Sequence, residues 1–171
     1  AATAATFTWS TNNTWSSGAA DGNGLDLDLM GGYLDNFHAN GSIVVSGLGP
    51  EFTGPGYNVL VYYANDNSGS TAGYTVADNA ANTDTRYGHQ VTAGANFPLA
   101  GGTDGYIIST EMDSGTTFSA NIVQLSGFTG TDFTLTGDAG SVGSARARPK
   151  GIQIVSLAAA ADRPEAPRGG K

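Results

Sequence analysis

The chain has 171 residues, 39% of them hydrophobic and 13% charged, with 26 Gly and no Cys. That length allows one core burying roughly 70% of the unfolded surface, while the composition excludes a disordered chain, a disulfide framework and any thiolate metal centre. Charge is sorted along it: residues 1–145 hold thirteen Asp or Glu and one Arg, a net charge near −12, whereas residues 146–171 hold six Lys or Arg against Asp162 and Glu165, near +4. So acidic a body argues against nucleic acid as a partner, and no apolar run approaches the roughly 20 residues that span a bilayer.

The small-residue start, 1–6, resembles the product of signal-peptide cleavage and points to an extracellular or cell-surface protein. Helical periodicity is nearly absent. Short alternating or wholly apolar runs recur between Gly, Asn, Asp and Pro clusters, the pattern of an all-β chain folded as an antiparallel two-sheet β-sandwich of about eight to ten strands. Strands are predicted at 6–9, 25–30, 42–48, 57–64, 73–77, 88–92, 105–111, 116–125, 132–137 and 151–157. In 25–30, Leu25, Leu27 and Leu29 alternate with Asp26 and Asp28, giving one buried and one wet face. In 57–64, Tyr57, Val59, Val61 and Tyr63 share one face and Leu60, Tyr62 and Ala64 sit beside Asn58 on the other, so both faces are covered and the strand is central. The turn Asn65-Asp66-Asn67-Ser68-Gly69 predicts that 57–64 and 73–77 pair as an antiparallel hairpin. Residues 49–56 form a rigid connection, 77–85 and 93–104 are long loops, and Ile152 and Ile154 belong to the core. The domain spans 1–157. Alternation stops at Ala158, and Pro164 and Pro167 favour an extended basic tail or linker over 158–171.

Three segments carry a family likeness: Met30-Gly-Gly-Tyr-Leu-Asp35, Gly56-Tyr-Asn-Val-Leu-Val-Tyr-Tyr63 running into its Asn/Asp/Gly turn, and Gly151-Ile-Gln-Ile-Val155. Their order and spacing resemble secreted β-sandwich domains of planctomycete and verrucomicrobial surface proteins, often found near cell-surface anchoring signals or carbohydrate-active enzymes. The resemblance covers about residues 9–155. It implies a galactose-binding-like or jelly-roll sandwich outside the cell without an established catalytic centre, and it assigns no site residue.

Catalytic chemistry lacks its parts. No Gly-x-Ser-x-Gly elbow occurs and His38 and His89 are the two imidazoles, too few for a zinc site; both are read as ordinary surface or hydrogen-bonded His. Glu111 and Asp113 form the one neat carboxylate pair, with Glu51 or Asp104 as remote partners. Neighbours at i and i+2 on one strand lie too close to flank a glycosidic bond and read as edge acids that keep a strand soluble. No enzyme is expected, and no cofactor is called for. Calcium is the one metal with candidate ligands, the oxygens of Asp21, Asn23, Asp26 and Asp28. An EF-hand loop would place Leu25, Asp26 and Gly32 at its fifth, sixth and twelfth positions, which fails that template and leaves a site assembled from separate loops or, more simply, solvated acids.

Two binding surfaces are legible. Trp9 and Trp15 flank a Ser/Thr/Asn run; a core of this size needs large anchors, so Trp9 is expected inside, and Trp15, with Asn12 and Asn13, is expected to stack on a sugar ring and read its hydroxyls. Arg146, Arg148 and Lys150 alternate along an extended backbone and project to one side; with Arg163 and Arg168 they are expected to meet an acidic patch on a neighbouring copy. The leading reading is a non-enzymatic extracellular structural subunit, a homo-oligomer or polymer in which the small-residue start and residues 152–161 each add a strand to a neighbour's sheet edge and build a filament or surface array. The alternative is a carbohydrate-binding accessory module of a secreted polysaccharide-degrading protein.

Overall fold

Apolar residues at every second position build this molecule, because alternation gives each strand one face to hide. The computed structural model describes residues 4–16, 32–63, 70–90, 106–115, 117–138, 144–145 and 147–158. In chain order these form β1 (Thr6–Ser10), β2 (Asn13–Ser16), β3 (Gly32–Asp35), α1 (Phe37–Asn40), β4 (Ser42–Ser46), α2 (Pro50–Thr53), β5 (Tyr57–Tyr63), β6 (Ser70–Asp78), β7 (Thr83–Gln90), β8 (Ile108–Ser109), β9 (Ile122–Phe128), β10 (Phe133–Asp138), β11 (Ser144–Ala145) and β12 (Pro149–Ser156). Twelve strands are thus described against the eight to ten predicted, two of them only two residues long. One sheet has six strands in the order β1-β4-β10-β6-β11, with β7 also paired to β6; a second has four, β12-β5-β9-β8; β2 and β3 form a small third. The fold is mostly β, and its pairings are antiparallel except β8 with β9 and β11 with β6.

The inner faces of both larger sheets feed one core. Tyr57, Val59, Val61 and Tyr63 of β5 and Val123, Leu125 and Phe128 of β9 meet Val45 of β4, Ala72, Tyr74 and Val76 of β6, and Phe133 and Leu135 of β10. Tyr57 and Phe133 ring centroids lie 6.0 Å apart and those of Tyr63 and Tyr74 6.1 Å, so these aromatic contacts cross between sheets. Each such side chain removed from water contributes about 1.5–3 kcal/mol. The hydroxyls of Tyr57 and Tyr63 find no protein partner within this core.

Strand pairing corrects the predicted hairpin. β5 pairs with β12 and β9, while β6 pairs with β10, β11 and β7. Chain reversal through turn residues is compatible with either outcome. Two strands that each hide a full apolar face remove more surface by stacking than by lying side by side, and their backbone groups bond in both cases. The second face of β5 is half-buried where full cover was expected, and Ile152 and Ile154 pack half-buried against the core. The predicted loop 77–85 is a tight turn between β6 and β7, with Ala81 at φ 66°. The connection 49–56 contains the single turn α2, started by Pro50, and the strand predicted at 116–125 begins only at Ile122. Both terminal strands, β1 and β12, pair within their own chain. The predicted strand 25–30, the turn 65–69, the loop 93–104 and residues 159–171 lie outside the described residues.

Where the chain crosses from β9 to β10, and so from one sheet to the other, Asp78 holds the junction. Its Oδ1 accepts from the backbone N–H of Ala80 and Asn82 at 3.0 and 2.8 Å, and its Oδ2 accepts from Asn82 Nδ2 and the N–H of Thr129 and Gly130 at 2.9, 3.0 and 2.9 Å. A Cβ at Gly130 would stand 2.4 Å from Asn79 Oδ1 and 2.9 Å from the Asp78 Cβ, so only glycine allows this approach. Burial alone would raise the Asp78 pKa, but these donors outweigh it and hold the carboxyl at about 2 against the usual 3.8.

Replacing Val61, which has no exposed surface, by Asp should prevent soluble folding, since an unpaired charge there costs several kcal/mol; normal thermal stability of that variant would refute its place in the core. The depressed pKa of Asp78 makes its contribution complete above the unfolded value near 4 and lost as pH falls toward about 2. Denaturant titrations of wild type and Asp78→Asn should therefore differ by about 2 kcal/mol or more at pH 6 and converge as pH approaches 2. A gap independent of pH would count against the carboxylate's role.

Candidate functional site

β1 lies at the free edge of the six-stranded sheet. Its sequence alternates Thr6, Thr8 and Ser10 with Phe7 and Trp9, and its register sets Phe7 opposite Val45 and Trp9 opposite Ile43, on the side that faces the core. Yet Val45 is fully buried, whereas Phe7 is 49% and Trp9 65% exposed. The facing sheet ends at β12, whose Pro149, Lys150, Gly151 and Ile152 form the opposite wall. The result is a groove of about 240 Å³ between the edge strands, lined also by Leu34 and Ile43. Gly151 contributes no side chain to fill it.

Beyond Trp9 the groove gives way to a polar hollow of about 470 Å³ lined by Trp9, Ser10, Thr11, Asn12, Asn13 and Thr14. The Thr11 hydroxyl donates to the Asp35 carbonyl at 2.6 Å, pinning this turn to the end of β3, and the Asn13 side-chain oxygen accepts from the Thr14 N–H at 3.0 Å. Among the described residues its polar side chains are those of Ser10, Thr11, Asn12, Asn13 and Thr14, hydroxyls and amides. Asn12 and Asn13 thus stand where sequence placed them, beside an exposed indole, but the indole is Trp9. Trp15, 58% exposed, sits on β2 opposite Tyr33 and does not line the hollow. The expectation that Trp9 anchors the core is corrected: Phe37, Tyr57, Tyr63, Tyr74, Phe128 and Phe133 occupy that space.

The basic triplet also resolves differently. Arg148 is 3% exposed, with Nε 3.1 Å from Asp35 Oδ1 and its guanidinium 5.0 Å above the Tyr33 ring. The ammonium of Lys150 lies 5.2 Å from the same ring centre. Arg148, expected to meet a neighbour's acid, is instead committed to its own chain, joining β3 to β12 through a desolvated pair that would be costly to break. Lys150 reaches the groove. Arg146, Arg163 and Arg168 lie outside the described residues, as do Asp21, Asn23, Asp26, Asp28 and Asp104. Among the described residues no group of three or more His, Cys, Asp or Glu could hold a metal ion.

At the other edge of the four-stranded sheet, Glu111 and Asp113 are exposed. Glu111 makes a backbone bridge to Tyr87, and the Asp113 carboxylate accepts from the Gly115 N–H at 2.8 Å. Along the same stretch of chain Ile107, Ile108, Met112 and Phe118 are exposed, Met112 to 70%. His89 is buried, its Nδ1 3.1 Å from the Thr71 hydroxyl, and His38 lies on α1. Glu51 sits on α2, where its carbonyl accepts from Ser156 Oγ. Sequence reasoning missed Phe7, Trp9 and this apolar ridge. The alternation of Phe7 and Trp9 with Thr and Ser was the available signal for the first two; no periodicity marks the ridge.

No helix of the described residues is long and apolar enough to cross a membrane. Comparison of the chain with protein-family models, with curated proteins and with solved structures finds no match.

Proposed function

We propose that the chain is a non-enzymatic, extracellular carbohydrate-binding module that takes a neutral polysaccharide in the hollow beside Trp9. The two larger sheets, facing each other across one core, are read as a jelly-roll-like β-sandwich with this site on its rim. The observation that carries the reading is Trp9: a 65% exposed indole at the edge of a hollow whose other side chains are all hydroxyls and amides. An aromatic face offers a sugar ring its apolar side a partner, while Asn12, Asn13 and the Ser and Thr hydroxyls supply donors and acceptors for equatorial hydroxyl groups. The hollow is open along its length, which suits one or two residues of a longer chain.

The lining suits binding. Glycoside hydrolysis needs two carboxylates across the scissile bond, whereas the described residues lining the hollow are Trp9, Ser10, Thr11, Asn12, Asn13 and Thr14. The uncharged hollow also selects against uronic acid or sulfated chains, whose charge it has nothing to balance. A surface rich in Ser, Thr and Asn and poor in Lys and Glu suits work outside the cell.

Affinity electrophoresis through gels containing soluble neutral polysaccharides tests this. Wild-type protein should be retarded by at least one neutral glucan, mannan, xylan or galactan, and Trp9→Ala should lose at least ten-fold in affinity with its thermal stability unchanged. Retardation should be insensitive to salt and to pH between 5 and 9, since no side chain of the hollow titrates there. Equal retardation of wild type and Trp9→Ala, or binding confined to acidic polysaccharides, would overturn the reading.

A further inference from the structure

We infer that the chain docks head to tail on a second copy of itself, the ridge around Met112 of one molecule entering the groove between β1 and β12 of the next. Two unlike apolar surfaces stand on one molecule. The groove presents Phe7 and Ile43 on one wall and Ile152 on the other. The ridge presents Ile107, Ile108, Met112 and Phe118. Exposed apolar groups gathered in this way mark contact surfaces more often than isolated ones do.

Charge and placement select the occupant. Among the described residues Lys150 is the one charged residue lining the groove, while Glu111 and Asp113 flank Met112 on the ridge. An apolar hollow with a cation therefore faces, on an identical neighbour, an apolar projection with two anions. The strand order β12-β5-β9-β8 sets the groove and the ridge at opposite edges of the same sheet. A contact between unlike surfaces at opposite edges leaves one of each unused at the two ends of any assembly, so it propagates unless rotation closes a ring. The body's net charge, near −12 over residues 1–145, repels copies in other orientations, so the pairing of Lys150 with the ridge acids sets register and the buried apolar groups supply affinity. Phe7 also gains what its own fold withholds: it lies on the core side of β1, and a neighbour's Met112 would complete its cover.

This contact does not rest on the glycan reading. Trp9 lines both the groove and the polar hollow, and the variants used to test the contact leave Trp9 and Ser10–Thr14 untouched.

Sedimentation velocity on the full chain, without glycan, tests the inference with Phe7→Glu, which spoils the groove and spares the ridge, and Met112→Glu, which does the reverse. Phe7 is 49% and Met112 70% exposed, so circular dichroism should report native folds. Wild type should form species larger than dimers as concentration rises. Each variant alone should remain monomeric, with self-association weakened at least ten-fold. An equimolar mixture should form one-to-one dimers and nothing larger, because only one intact ridge and one intact groove remain per pair. Lys150→Glu should abolish assembly, and combining it with Glu111→Lys and Asp113→Lys should restore it. Wild-type protein that stays monomeric at millimolar concentration, a closed symmetric dimer, or a variant mixture that fails to dimerise would each overturn the inference; glycan binding would be unaffected by any of them.

Discussion

The fold hangs on one carboxylate. Asp78 ends β6, begins the turn into β7, and accepts from the first two residues after β9, so a single side chain fixes where the chain leaves the four-stranded sheet to enter the six-stranded one. Asn79 extends the junction by donating to Thr131 Oγ1 and Asp132 Oδ2 at 2.9 and 3.1 Å, and Asp132 Oδ1 accepts from the Gly47 N–H at 2.8 Å. Three stretches of chain, at Gly47, 78–82 and 129–132, thereby converge on a network with most of its donors aimed at carboxylate oxygens. Such a network positions backbone; its oxygens, already filled by N–H groups, have little left to offer a cation.

This junction and the candidate site sit at opposite ends of the same strands. β4 runs from Ser42, paired with Ser10 beside the hollow, to Ser46, paired with Thr6 next to Gly47 and the junction. The division of labour is physical: one end is crosslinked by many short hydrogen bonds, and the other is left with side chains facing water. At the open corner the pair of Arg148 with Asp35 under Tyr33 fastens β3, and with it the Thr11 turn, onto β12. The hollow is therefore built from a turn held at two points, which limits how far its amides can move apart.

Much of the framework was legible because burial and alternation are linked locally. Tyr57, Val59, Val61 and Tyr63 announced a strand with one hidden face, and that face is buried. Partner choice was not legible, since an Asn/Asp/Gly turn reverses the chain whether the next strand lies beside the last or across the core from it. The indoles misled for a related reason: bulk says a residue can anchor a core, but Tyr and Phe at the inner positions had already filled it, leaving Trp9 on an edge strand past the end of the facing sheet. Arg148 read as a surface charge because its carboxylate is 113 residues away in sequence, and no local pattern encodes that encounter. The exposure of Asn12 and Asn13 was legible, as polar residues in a turn meet solvent.

A core built so heavily on tyrosine sets an alkaline ceiling. Burial pushes the phenols of Tyr57, Tyr63 and Tyr74 well above the ordinary value, with the charges of Asp78 and Asp132 adding to the effect at Tyr57 and a neighbouring Tyr63 at Tyr74. In the unfolded chain the same groups ionise near pH 10. Their preference for the neutral form supports the fold fully below that point and is withdrawn above it, because hydroxide then rewards exposing them. The phenolate absorbance of these three should thus rise late and abruptly, as the sheets part, and the protein would meet its limit in strong base through the residues that make its interior.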